Sequence, residues 1–171
     1  MQQQETEKQF VKHIKENELL IYKVCRIYTY TTADKEDLFQ EIVIQLWNAY
    51  PKFRGESKFS TWLYRVAINT AITGLRKKKD LIDSKEPDQL PELVDEENES
   101  NEEKLSHLYK AIGQLSQVEK AIVMLYMEDR SYEEMEEILG MSQGNLRVKM
   151  NRIKEKLRQL TKIIDHGTGR P

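Results

Sequence analysis

Three groups of side chains in this chain have the types and spacing to do chemistry, and in each the chemistry is recognition. Gly144, Arg147, Asn151, Lys154 and Arg158 recur every three or four residues near the C-terminus. On a helix turning about 100° per residue they share one stripe. A guanidinium suits the paired acceptors of guanine and a carboxamide suits adenine, so Arg147 and Asn151 are the candidate base readers, with the later cations holding phosphates. Trp62, Arg65, Asn69, Thr73 and Arg76 repeat that spacing. An indole beside cations and an amide suits unstacked bases, because a ring stacks on any base face and cations hold the backbone. Phe53, Arg54, Gly55, Glu56, Ser57 and Lys58 lie just ahead and could form a pocket for a flipped base. Taken alone, Trp62 reads as a core or boundary aromatic; the four cations Arg76–Lys79 shift the reading toward nucleic acid. The third group, Asp37, Gln40, Glu41, Ile44 and Asn48, sets one apolar residue inside an acidic, polar stripe. A protein interface with a polar rim has that pattern, and so does an ordinary surface carrying one isoleucine.

Helices must position all three groups. Glu5 to about Tyr30 is periodic, with Phe10, Ile14, Ile21, Val24 and Tyr28 inward. Residues 29–32 break the pattern, and Asp34 can N-cap a helix to about Tyr50 with Leu38, Ile42, Leu46, Ala49 and Tyr50 inward. Pro51 stops it and Gly55 marks a loop. Ser60 or Thr61 opens a helix to about Lys79, packed through Leu63, Ala67, Ile68, Ala71, Ile72 and Leu75. Near the C-terminus a helix over Gln117–Met127 precedes Ser131 and Glu134, a capping box for Tyr132–Leu139. Gly140 supplies a left-handed turn, and Ser142 caps a longer helix to about Leu160. Leu146, Met150, Ile153, Leu157 and Leu160 form its core stripe. Helix, glycine turn and longer basic helix make the helix-turn-helix pattern. Lys156 and Lys162 read as plain solvated charges.

The expected fold is all-α, with two small helical domains over 1–80 and 105–165, an acidic flexible linker over 81–104 and a tail over 166–171. The chain has 171 residues and a net charge of −2, which hides its distribution. Lys52–Lys79 carries eight Lys/Arg against one Glu, a net +7. Asp83–Lys104 carries ten Asp/Glu against two Lys, a net −8. Ser142–Lys162 carries seven Lys/Arg against one Glu, a net +6. Two basic blocks around an acidic one suggest two polyanion contacts and a solvated linker. Pro87, Pro91 and the carboxylates keep that linker from burying surface, with Leu90, Leu93 and Val94 as apolar exceptions that could dock. The lone Cys25 excludes an internal disulfide and fits a reducing cytoplasm. The N-terminal MQQQETEKQF has no signal-peptide core, and no apolar run approaches the roughly 18 residues of a membrane span. His13, His107 and His166 are dispersed, so neither a metal site nor another cofactor is expected, and no catalytic constellation suggests an enzyme.

DLFQEIVIQLW followed by FRGESKFSTWLYRVAINTAITGLRKKK resembles region 2 of the extracytoplasmic-function (ECF) sigma factors of bacterial RNA polymerase. LSQVEKAIVMLYMEDRSYEEMEEILGMSQGNLRVKMNRIKEKL resembles their region 4. The resemblance implies a promoter-specificity subunit acting in the cytoplasm, with core RNA polymerase and promoter DNA as partners and no membrane insertion. It implies that Asp37, Gln40, Glu41, Ile44 and Asn48 dock on the clamp helices of the β′ subunit. Phe53–Lys58, Trp62, Arg65 and Asn69 would melt and read the −10 element, the stripe continuing through Thr73 and Arg76. Arg147, Val148, Asn151 and Arg152 would read the −35 element. The family usually has a small polar residue at Val148, a His or aromatic at Asn151 and a Thr at Asn145, departures that bear on which −35 sequence is read. Its DNA-binding faces would be exposed in the free protein, a natural target for an anti-sigma factor. The chain ends soon after region 4, so no further C-terminal domain is expected. One rival is a helix-turn-helix regulator that never touches polymerase, which has no need of the Asp37–Asn48 and Trp62–Arg76 faces. Another is a module that binds only protein, which leaves Arg76–Lys79 unexplained.

Overall fold

Aliphatic side chains spaced three and four apart give each helix one face to bury, and that periodicity builds both halves of the chain. The computed structural model describes residues 1–81 and 99–167. All elements among them are helical, and the chain divides into two units, Met1–Pro91 and Glu92–Pro171. The first holds α1 (Gln2–Glu16), α2 (Glu18–Tyr28), α3 (Thr32–Ala49), a 3₁₀ turn over Tyr50–Lys52, and α4 (Phe59–Leu81). The second holds α5 (Glu99–Gly113), α6 (Gln117–Met127), α7 (Tyr132–Leu139) and α8 (Gln143–Gly167).

In the first unit α2, α3 and α4 pack against one another. Ile21, Val24, Cys25 and Tyr28 meet Ile42, Leu46, Leu63, Tyr64, Ala67, Ile68 and Ala71 in its core. Burial pushes the Cys25 thiol up to about 11 against a smaller opposing pull from Lys35, so it stays protonated and packs as a small apolar group. The periodic stretch Glu5–Tyr30 is two helices, because Asn17 interrupts it. Its backbone leaves helical geometry at φ −119°, ψ 14°, and its side-chain amide donates to the His13 carbonyl at 2.9 Å. Asn offers the backbone this local alternative to the helical ladder. The cap of α3 is Thr31, whose hydroxyl accepts the Asp34 amide at 3.1 Å; Asp34 lies one turn inside the helix. Helix α4 starts at Phe59, which places Thr61 inside the helix, where it is buried.

In the second unit α8 packs against α5, α6 and α7. Its Leu146, Met150 and Ile153 are buried, while Leu157 and Leu160 are half-buried. The capping box of α7 is formed as its sequence suggests: the Glu134 amide donates to Ser131 Oγ and the Ser131 amide donates to the Glu134 carboxylate. Gly140 sits at φ 71° and its amide donates to the Glu136 carbonyl at 2.8 Å, ending α7 in the left-handed conformation glycine adopts without strain. Ser142 Oγ accepts the Asn145 amide at 3.3 Å and opens α8. Helix α8 continues past Leu160 to Gly167, so residues 166 and 167 of the expected tail are helical. Helix α5 begins at Glu99, inside the stretch expected to be linker. Glu102 and Glu103 then fall near its N-terminal end, where carboxylates suit the helix dipole. Residue 81 of the expected linker ends α4, and Leu90, Leu93 and Val94 lie in the stretch 82–98, outside the described residues.

A second capping box, not anticipated, joins Ser116 and Glu119 at the start of α6. Glu119 Oε2 accepts the Ser116 amide at 2.9 Å and also Lys156 Nζ, from α8, at 3.2 Å. Lys156 is therefore no plain solvated charge: one carboxylate closes the end of α6 and ties it to α8. Burial alone would raise the Glu119 carboxyl, but the Ser116 amide and Lys156 outweigh it and hold it below the ordinary carboxylate range. A depressed folded-state value means stability that is full above the unfolded value and lost as pH falls through the folded one. Glu119→Ala removes both roles and is expected to cost about 1 kcal/mol at neutral pH. In urea titrations its deficit against wild type should shrink as pH falls below the ordinary carboxylate range; a pH-independent deficit would show that the charge of Glu119 contributes nothing.

Candidate nucleic-acid and partner interfaces

On α3, the turns that bury Ile42 and Leu46 hold Asp37, Gln40, Glu41, Ile44 and Asn48 outward, and all five are exposed. Ile44 is 52% exposed amid these polar groups. Trp47, on the flank of the same stripe, is 37% exposed and meets Phe10 edge to face at 5.0 Å. Sequence periodicity missed it, although a Trp three residues after an outward Ile on a helix belongs close to the same face.

Arg65, Asn69, Thr73 and Arg76 of α4 are all exposed. The structure joins this stripe to that of α3. An open groove of about 650 Å³ runs between the helices, lined by Glu41 and Gln45 on one side and by Asn69, Thr73, Gly74 and Lys77 on the other. Two stripes assigned to different partners from sequence thus border a single depression. Lys78 Nζ lies 3.5 Å from Asp34 Oδ1, so the basic run of α4 is partly matched by the acidic start of α3. Both side chains are well exposed, which makes this a weak pair in water.

Trp62 is half-buried and belongs to an aromatic cluster at the head of α4. Its ring centroid lies 5.0 Å from Phe53, 5.4 Å from Phe59 and 6.4 Å from Tyr50. His13 of α1 stacks on Phe59 at 4.6 Å. Phe53 and Phe59 therefore fasten both ends of the loop between them. Arg54, Gly55, Glu56 and Lys58 are exposed there, Ser57 is half-buried, and Gly55 turns the chain at φ 71°. The cluster makes Trp62 a boundary aromatic, packed on one side and open on the other. His13 gave no sequence signal for this role, because its partner is 46 residues away.

On α8 the helix-turn-helix presents Gly144, Arg147, Val148, Asn151, Arg152 and Arg158 to solvent, with Lys154 half-buried. Val148 is 50% exposed, an apolar side chain among cations and amides. The Arg147 guanidinium lies 4.8 Å from the ring centroid of Tyr132, the first residue of α7. Lys154 Nζ lies 3.1 Å from the Tyr126 hydroxyl and 4.6 Å from its ring centroid. Arg158 pairs with Glu155 at 3.2 Å on the same helix. Tyr126 and Tyr132 escaped the sequence reading because their partners are 28 and 15 residues away. Among the described residues no three His, Cys, Asp or Glu side chains come together to hold a metal, and no helix is long and apolar enough to cross a membrane.

Residues 13–80 match the family described as Sigma-70 region 2, and residues 106–157 match Sigma-70, region 4. The chain is 31% identical over 137 residues to the ECF RNA polymerase sigma-E factor of Escherichia coli (strain K12), covering 72% of each protein. It is 42% identical over 55 residues to the ECF RNA polymerase sigma factor SigG of Mycobacterium tuberculosis (strain CDC 1551 / Oshkosh), covering 32% of this chain and 15% of that protein. Its fold is shared by the sigma factor RpoE in a co-crystal with the anti-sigma factor NepR from Bartonella quintana. That likeness has a TM-score of 0.75 at 19% identity and covers 91% of this chain and 98% of RpoE. CnrH, solved in complex with the cytosolic domain of CnrY, follows with a TM-score of 0.65 at 17% identity, covering 92% and 90%.

The aromatic fastening of the 53–59 loop is directly testable. Phe53→Ala removes one anchor and should expose the Arg54 and Lys58 peptide bonds to trypsin several-fold faster, with a loss of about 1–3 kcal/mol for a half-buried ring. Limited proteolysis followed by mass spectrometry reads the first cut, and an unchanged rate would mean that Phe53 does not hold the loop.

Proposed function

We propose how a chain that belongs to the ECF sigma factors of bacterial RNA polymerase divides its work between its two units. As a sigma factor it binds core polymerase and promoter DNA and directs transcription initiation. The unit holding α1–α4 takes the polymerase and −10 roles, and the unit holding α5–α8 takes the −35 role. The observation that carries this division is that region 2 and region 4 lie on separate units of one chain, in that order.

On α3, Asp37, Gln40, Glu41, Ile44 and Asn48 dock on the clamp helices of the β′ subunit. The exposed Ile44 is the apolar centre of that contact, and the carboxylates and amides form its rim. Across the groove, Arg65, Asn69, Thr73 and Arg76 hold the displaced strand of the −10 element. Trp62 offers its open side for stacking, and the loop Phe53, Arg54, Gly55, Glu56, Ser57 and Lys58 receives an unstacked base. Stacking of roughly 1–3 kcal/mol per base is comparable with the few kcal/mol of unpairing. Strand opening therefore comes from capture of exposed bases, with no covalent step and no cofactor. The aromatic cluster supports this, since a ring already fixed on one side loses little freedom on stacking.

In the second unit α8 enters the major groove of the −35 element. Gly144 lets the helix start approach the backbone closely, Arg147 and Asn151 read base edges, and Val148 contacts a thymine methyl. Arg152, Lys154 and Arg158 hold phosphates. The protein works in the cytoplasm, which its buried, protonated Cys25 suits. The Bartonella quintana relative is held by an anti-sigma factor, NepR; a protein inhibitor of that kind is a partner of this chain as well, covering faces it would otherwise leave open.

Run-off transcription with core polymerase on a pool of randomised promoters tests the whole reading, and an absence of transcripts dependent on this chain would refute it. Ile44→Glu should abolish retention of core polymerase in a pull-down while leaving helix content unchanged, because the position faces water; full retention would remove the assigned interface. Arg147→Ala should cost about 1–3 kcal/mol on a selected −35 duplex and relax preference at one base pair. Competition binding with single-base variants of that duplex checks this, and a uniform loss across the variants would mean that Arg147 only anchors.

A further inference from the structure

Three cations near the middle of α8, Lys154, Lys156 and Arg158, are held in different ways. Lys156 is paired with Glu119 and Arg158 with Glu155, each at 3.2 Å, the second a weak pair in water because both its side chains are well exposed. Lys154 is held by Tyr126, a neutral partner from the end of α6, and its charge stays uncompensated. Its ammonium donates to the phenol oxygen at 3.1 Å and rests 4.6 Å from the ring centroid. Two N–H donors of the ammonium remain for other acceptors. The phenol proton is likewise left over, and no acceptor for it is found among the described residues. Tyr126 is 40% exposed, so the two adjacent donor groups open on water. The neighbouring ammonium also withdraws charge from the phenol oxygen and strengthens its O–H as a donor.

Two strong donors, one net positive charge and no competing carboxylate match the two unshared oxygens of a phosphodiester. Lys154 lies on the stripe that begins with Gly144 and Arg147, two turns beyond Arg147, where a helix leaving the base edges meets the backbone. We propose that Tyr126 and Lys154 form a single clamp for one DNA backbone phosphate, each donating to a different oxygen. This rests on the reading of α8 as the duplex-facing helix and adds to it a residue of α6, outside the helix-turn-helix. The ring fixes the lysine stem before DNA arrives, so the clamp loses little side-chain freedom on binding. It also fixes the approach of the duplex relative to α6 as well as α8, since a phosphate gripped by both helices cannot slide along one of them.

The test uses the full chain and a fluorescein-labelled duplex of random sequence, because a backbone clamp acts on any duplex. Fluorescence anisotropy at a series of low salt concentrations compares wild type with Tyr126→Phe, Lys154→Gln, the double variant and Arg147→Ala. Tyr126→Phe keeps the ring and removes one donor. It should weaken binding roughly three- to tenfold, the effect of one hydrogen bond, with the salt slope unchanged because no charge is lost. Lys154→Gln should flatten the slope by about one counterion. The double variant should lose less than the product of the two single losses, because both groups serve one phosphate. Wild-type binding by Tyr126→Phe, or losses that multiply, would overturn the clamp. A slope flattened by Tyr126→Phe as much as by Lys154→Gln would also overturn it, leaving the tyrosine as a mere support for the lysine. If Arg147→Ala and Lys154→Gln both bound as wild type, the duplex-facing reading of α8 would fail, and the clamp with it; an Arg147→Ala loss beside a silent Tyr126→Phe would fail the clamp alone.

Discussion

Each unit depends on one long helix being gripped along a single stripe so that the opposite stripe stays in water. Helix α4 buries Leu63, Ala67, Ile68 and Ala71, and this leaves Arg65, Asn69, Thr73 and Arg76 outward. Helix α8 buries Leu146, Met150 and Ile153, and this leaves Arg147, Asn151 and Arg152 outward. Burying a large aliphatic side chain is worth about 1.5–3 kcal/mol, whereas a change on an open surface is usually within about 0.5 kcal/mol. The stripe that sets the fold and the stripe left in water are therefore energetically separate. Residues on the outer stripe, Val148 and Asn151 among them, can change with little effect on stability.

Around these helices the same side chains often serve two structural purposes. Glu119 caps α6 and ties down Lys156 of α8. Phe53 and Phe59 pack beside Trp62 and fasten the loop that precedes it. Tyr132 and Tyr126 hold Arg147 and Lys154 against aromatic faces. A cation resting on a neutral ring has no opposing formal charge beside it, unlike one paired with a carboxylate, while its long side chain is partly ordered. The outer surface of α8 is thus sorted into compensated and uncompensated charges, a distinction that net charge conceals.

Much of this was legible along the chain because it depends on residues within one turn of each other. Ser131 with Glu134, Gly140 and Ser142 delimit the helix-turn-helix by local hydrogen bonding, and the structure has each in that place. The outward positions of Ile44, Asn69 and Arg147 followed from helical periodicity alone. Two of the misreadings fall where two local solutions compete. Thr31 and Asp34 can both cap a helix, and Thr31 does so. Asn17 could have stayed inside a helix, yet its side chain takes the His13 carbonyl and ends α1.

Helix period, caps and glycine turns are short-range properties, so most of the helices, their buried faces, the helix-turn-helix and the family resemblance could be read along the chain. Which side chains of different helices meet became visible only in the folded chain. It merged Glu41 with Asn69 and Thr73 along one groove, set Trp62 among Tyr50, Phe53 and Phe59, and joined Lys156 to Glu119 and Lys154 to Tyr126. Those meetings depend on how the helices lie against one another. That placement is fixed by the fit of whole buried faces, and a linear pattern of residue types does not encode it.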